Sequence, residues 1–195
     1  MAPWAEEQMT ARQRQYFDTM RQKLEQETGR TLAEWAALAG ACPHSAPRQR
    51  LAWLQETHGL TGNRAHMVLG AAFADQEASP AEAFVALWKD PVLRAMVEAI
   101  CTQVGALDGV IISQRKGYTA FSRTIQFGAV RPAPGASKGM IRLGLGLPAD
   151  VSPLLTPRGR SETLQDRLLS VIDLAPAPAL SPEIMALVDK ARSLA

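Results

Sequence analysis

Residues 107–131, LDGVIISQRKGYTAFSRTIQFGAVR, decide the fold, because here the hydrophobic period changes from helical to alternating. Asp108-Gly109 is a turn signal and Val110-Ile111-Ile112 a buried β run. Working outward, strands are expected at about 110–115, 117–122, 125–131 and 139–147, joined as an antiparallel meander. The segment 148–162, PADVSPLLTPRGRSE, reads as a loop, 166–174 as one more strand, and 181–195 as a closing helix capped by Ser181.

Upstream the pattern is helical. Met9, Tyr16, Phe17, Met20 and Leu24 recur at mostly helical spacing, and Gly29 is placed to end that first long helix in a left-handed cap. Thr31 and Glu34 form a capping box for a short second helix that closes near Gly40. A third helix carries Leu51, Trp53 and Leu54 up to Gly59, and a fourth restarts from Thr61 as N-cap. Ser79, Pro80 and Glu82 start a new helix, and Asp90-Pro91 another, so helices at about 80–89 and 91–106 lead into the strands. The expected class is α+β. A helical domain over 1–77 precedes an α+β domain over 78–195, in which four to five antiparallel strands pack with two preceding helices and a C-terminal one.

A chain of 195 residues with 47% hydrophobic content buries an ordinary core without staples. Cys42 and Cys101 have no paired spacing and read as free thiols in a reducing compartment. The N-terminal MAPWAEEQMT lacks the layout of a signal peptide, and no apolar run approaches a membrane span, so a soluble cytoplasmic protein with no membrane partner is expected. The net charge of +2 is unevenly spread. Residues 1–112 hold ten Lys/Arg against thirteen Asp/Glu, 113–167 nine against three, and 168–195 two against three. The basic excess lies in the expected sheet.

Two resemblances follow from these residues. GRTLAEWAALAG, LAWLQETHGL and NRAHMVLG resemble the bacterial domain of unknown function number 4287, with its Thr-Leu-x-Glu-Trp helix start, Trp-Leu pair and His-Gly-Leu turn. RKGYTAFSRTIQFGAVRP and SKGMIRLGLGLP resemble the domain of unknown function number 5655, in which Lys-Gly-Tyr and Leu-Gly-Leu strands recur. The tandem covers almost the whole chain and implies a fold rather than an activity. Where the second family carries an Asp before Leu-Gly-Leu, this chain has Arg142, so any role that needs a carboxylate there is in doubt.

No catalytic constellation emerges. His44, His58 and His66 with Cys42 are of metal-ligating types, but their spacing is not that of a zinc site, and His58 before Gly59 suits a helix C-terminus. Cys42-Pro43-His44 lacks a third group to orient the base. The PGASKG segment at 134–139 offers backbone amides for an anion nest but fails the phosphate-loop spacing, and a hairpin turn is the simpler reading. Residues 109–149 hold no acid. Neither a metal nor a cofactor is expected, and a binding protein is favoured over an enzyme.

The sheet carries the remaining candidates. Ile141, Leu143, Leu145 and Leu147 point one way along a strand, and Met140, Arg142, Gly144 and Gly146 the other, where the glycines leave backbone open to a ligand or another chain. On the strand at 125–131 both phases carry apolar groups, so its faces stay unassigned. Lys116, Tyr118, Arg123, Gln126, Arg131 and Arg142 are the candidate ligand-binding residues. They suit a nucleic acid or another anionic partner gripped by a basic sheet surface with interleaved aromatics. The alternative is a small-molecule or protein-interaction domain, with a pocket between helices 80–106 and the sheet rimmed by Tyr118, Gln126 and Arg142. A third account, charges that solubilise an exposed sheet face, stands beside both.

Overall fold

The computed structural model describes residues 9–76, 78–159 and 164–195. Its chain divides into two compact units, with the main break between Ala78 and Ser79 and a second near the start of the first helix, between Arg12 and Gln13. The first unit holds α1 (Ala11–Thr28), α2 (Leu32–Gly40), α3 (Pro47–His58) and α4 (Gly62–Ala72). Local chemistry sets their ends. The Thr31–Glu34 capping box forms, with the Glu34 carboxylate accepting from the Thr31 amide at 2.7 Å and Thr31 Oγ1 accepting from the Glu34 amide at 3.2 Å. The Glu34 carboxyl is held below its usual range by the hydrogen bonds it accepts from the Thr31 amide and, at 2.8 Å, from the Thr31 hydroxyl. Gly29 and Gly59 take φ of 66°, the left-handed turn that L side chains resist. Thr61 stands at the N-cap of α4 with extended backbone but makes no side-chain cap bond.

The core of this unit is Leu24, Trp35, Ala39, Leu54, Leu60, Ala65 and Val68. Of the residues spaced along α1, only Leu24 is buried; Tyr16 and Phe17 are exposed and pack edge to face at 5.8 Å. The His58 ring does more than sit at a helix end. It lies edge-on between Trp53 at 4.6 Å and Trp35 at 5.8 Å.

The second unit opens with α5 (Pro80–Leu87) and α6 (Pro91–Gly105), each started by proline behind a capping side chain. Ser79 and Glu82 form the second capping box, and Asp90 Oδ1 accepts from the amides of Val92 and Leu93. Strands β1 (Ile111–Gln114), β2 (Thr119–Ser122), β3 (Gln126–Pro132) and β4 (Ile141–Leu145) follow as a meander, then β5 (Thr156–Pro157), β6 (Ser170–Leu174) and α7 (Pro182–Ser193). All pairings are antiparallel, in the order β1-β2-β3-β4-β6-β5. The fold is α+β. The sheet has six strands, because Thr156–Pro157, inside the segment read as a loop, pairs with Val171 and Ser170.

One face of this sheet forms the main core. Ile141, Leu143, Leu145 and Leu147 are fully buried and share a cluster with Met96, Val97, Ile100 and Val104 of α6 and Leu187 and Val188 of α7. Burial of such a side chain stabilises by roughly 1.5–3 kcal/mol. The ambiguous faces of β3 are resolved by a bulge. Phe121 pairs with Gly128 but Ser122 pairs with Gln126, which leaves Phe127 as the extra residue. Phe127 therefore joins the core beside Phe121, ring centroids 6.4 Å apart, together with Val130, although the two are of opposite parity. A buried polar relay ties α5 to the hairpin: Trp88 Nε1 donates to Thr119 Oγ1 at 3.3 Å, and Thr119 donates to Gln114 Oε1 at 2.8 Å.

Candidate ligand-binding recess

The face of the sheet turned away from the helices holds Ala120, Ala129, Arg131, Arg142, Gly144, Val171 and Asp173, as the register fixes. Its middle is not open. Leu164 and Leu168, from the connection before β6, cluster with Ala129 and Val171, with Tyr118 packed beside them. A Cβ on Gly144 would stand 2.7 Å from Leu164 Cδ1 and 3.4 Å from Leu168 Cδ1. The glycine expected to admit a ligand instead admits the chain's own leucines, a correction the linear sequence conceals because they arrive some twenty residues later.

Arg142 is not an unengaged cation either. Its Nε and Nη2 grip the two carboxylate oxygens of Asp173 on the neighbouring strand, each at 2.6 Å. Ser137 Oγ donates to the same carboxylate at 2.6 Å. The Arg142 hydrogen bonds hold the Asp173 carboxyl below its usual range; partial burial opposes this and Ser137 assists it. Thus a carboxylate does lie in this row of the sheet, supplied across the strand pair.

The six candidate residues are not brought to one place. Arg131 and Arg142 are direct cross-strand partners, and Tyr118 comes one residue before the Thr119–Val130 pair, in the same row. Lys116 is exposed in the adjoining β1–β2 turn. Arg123 and Gln126 belong to the β2–β3 hairpin at the opposite end of the sheet. Arg123 is exposed and its aliphatic stem lies over Gly109, while Gln126 is half-buried. Tyr118, Gln126 and Arg142 lie on the face opposite the helices, so they cannot rim a pocket between helices and sheet.

A recess does exist on the helix side, built from residues the candidate set leaves out. It lies between the α5–α6 junction and the β3–β4 connection and encloses about 520 Å³. Leu87, Trp88, Leu93, Pro132 and Ala133 provide apolar walls, and Lys89, Asp90 and Lys138 stand at the rim. The α5–α6 junction is braced by Arg94, whose guanidinium donates to the carbonyls of Trp88 at 2.8 Å and Lys89 at 3.3 Å. The β3–β4 connection is braced by the Ala133 to Met140 backbone bond, 3.0 Å, and by the Ser137–Asp173–Arg142 tether. Lys138 immediately follows the tethered serine, so the Arg142 ion pair positions this wall without lining it. The signals for this site were the PGASKG turn and the Lys89-Asp90-Pro91 helix start, which nothing in linear order joins.

Cys101 is buried within α6, and burial pushes its thiol up to about 12, so it stays protonated and inert at neutral pH. Among the described residues no group of three or more His, Cys, Asp or Glu is placed to hold a metal, and no helix is long and apolar enough to cross a membrane.

These features describe a two-unit α+β protein with a recess of small-molecule size. Residues 16–72 match the family model of the Domain of unknown function (DUF4287), which spans most of the helical unit and stops before the sheet. No curated protein matches the chain, and no solved structure does.

Proposed function

We propose that the sheet-bearing unit binds a small organic anion in the recess between the α5–α6 junction and the β3–β4 connection. The observation that carries this reading is the pairing of an apolar lining with two ammonium groups, Lys89 and Lys138, supplied by separate elements. Asp90, the acid at the rim, already directs Oδ1 at the first amides of α6. An apolar body would be desolvated against Trp88 and Leu93 while its anionic end meets the lysines. Resemblance of the Lys116-Gly117-Tyr118 and Leu143-Gly144-Leu145 strands to the domain of unknown function 5655 is carried here as part of the same proposal. So is a reducing cytoplasmic setting, supported by the burial of Cys101 in an apolar core.

A thermal-shift screen of the full chain against aromatic and aliphatic carboxylates and phosphate esters tests it. Saturating ligand at about 100 times Kd adds about 2.7 kcal/mol to stability. Lys138→Ala should lower the affinity of at least one hit by about tenfold or more, and Arg142→Ala, acting through Ser137, that of the same hit by a smaller factor. No stabilisation by any compound, or the absence of any hit whose affinity depends on Lys138, sinks the reading. The polymer reading keeps one support, the exposed Arg115, Lys116 and Arg123. Against it stand the Asp173 pairing of Arg142, the leucine cover over Gly144, and the division of those cations between two ends of the sheet. Gel-shift affinity for single strands that falls steeply with salt would restore it.

A further inference from the structure

The helical unit carries a recess of its own, about 400 Å³, between α3 and the end of α4. Leu51, Leu69 and Phe73 form its apolar lining, and Arg48, Arg50 and His66 its polar rim. Among the described residues no acidic side chain lines it, and none of their ion pairs involves those three. Arg50 is held in one pose by two contacts. Its Nε donates to the His44 carbonyl at 2.9 Å, and its Cζ lies 3.8 Å over the centroid of the Phe73 ring. The Nε donor is thereby occupied, while the Nη donors of the fork are not used by that bond. Two guanidinium groups at one apolar recess repel each other, and an anion between them removes that cost.

We propose that this recess is a second, independent binding site, for a small organic anion in which a carboxylate or phosphate is attached to an aromatic or aliphatic body. Arg50 takes the head through its Nη edge, in the fork geometry that suits planar carboxylate and phosphate oxygens. Arg48 and His66 flank the head, and the body lies on Leu51, Leu69 and Phe73. The volume matches a small molecule and is too confined for a folded partner.

The test uses the full chain, titrated separately with phenyl phosphate, benzoate and inorganic phosphate while amide NMR shifts are followed. Saturable shifts of Arg48, Arg50, Gly70 and Phe73 are expected with at least one of the two organic anions, which thereby distinguishes phosphate from carboxylate as the preferred head. Arg50→Gln should weaken that binding at least about tenfold. Gly70→Met offers a second variant. A Cβ at Gly70, which lines the recess, meets nothing within 4 Å, so the new side chain fills the groove, and methionine favours the α4 helix over glycine. It should block binding with the remaining amide spectrum retained, and Lys138→Ala should leave this site unchanged. The proposal is overturned if neither organic anion shifts these amides, if binding survives both variants, or if inorganic phosphate binds as well as phenyl phosphate, which marks an adventitious ion only.

Discussion

On one side of the sheet Ile141, Leu143, Leu145 and Ile172 share a core with α6 and α7; on the other, Ala129, Gly144 and Val171 meet Leu164 and Leu168 from a connection, with Tyr118 beside them. The same strands build both sides. The helix side is held by many side chains whose burial follows from strand alternation. The loop side is held by small residues that make room for two leucines, and by one ion pair at its margin, Arg142 with Asp173. One face thus supplies stability, while the other fixes the position of the connections, including the turn that carries Lys138.

Three substitutions sharpen this contrast. Leu143→Ala, on the helix side, should cost about 2–5 kcal/mol by urea denaturation, because a fully buried leucine leaves a cavity among packed neighbours. Asp173→Asn, on the loop side, should cost about 1–2 kcal/mol at neutral pH, since it weakens a charge-assisted fork that is only partly shielded, its side chains 17% and 23% exposed. The pH dependence separates the ion pair from packing. Asp173 is more acidic folded than unfolded, so its contribution is complete above the unfolded value of about 3.9 and disappears as pH falls through the lower folded value. The gap between wild type and Asp173→Asn should therefore close on acidification below about pH 4, while the Leu143→Ala gap does not. A gap that is the same at both pH values contradicts the role given to the carboxylate.

Gly144→Ala should have the smallest effect, about 1 kcal/mol, because the new methyl meets the mobile end of Leu164 rather than backbone. Combined with Leu164→Ala, a double-mutant cycle should show coupling above about 0.5 kcal/mol. Additive behaviour would mean that the leucine cover is not what selects glycine there.

Much of the fold was legible because the signals are local. The capping boxes at Thr31–Glu34 and Ser79–Glu82, the prolines opening α5 and α6, and the Asp108-Gly109 turn each act within a few residues. Element ends differ from expectation by a few residues: β2 begins at Thr119 rather than 117 and β6 at Ser170 rather than 166. The two-residue β5 escaped notice because Thr156-Pro157 has no alternation to read and owes its strand character to β6. Part of the first expected helix, before Met9, lies outside the described residues.

The candidate site was less legible. Charge along the chain pointed to Arg142 and Arg131, but charge in space depends on which acid folds back, and Asp173 lies 31 residues from Arg142. Parity placed Phe127 with Ala129, and a bulge moved it into the core. Lys138 stands in the PGASKG turn and Lys89 beside a helix start, and nothing in linear order joins the two.

What the sequence by itself determined is the run of helices before the sheet, the meander of its first four strands and the apolar face of β4, since caps, turns and side-chain period are properties of neighbouring residues. Only the tertiary structure decided which face is covered by what, which acid pairs with Arg142, and where recesses form. Those depend on contacts between segments far apart in the chain, where a single bulge or one returning loop reassigns a face.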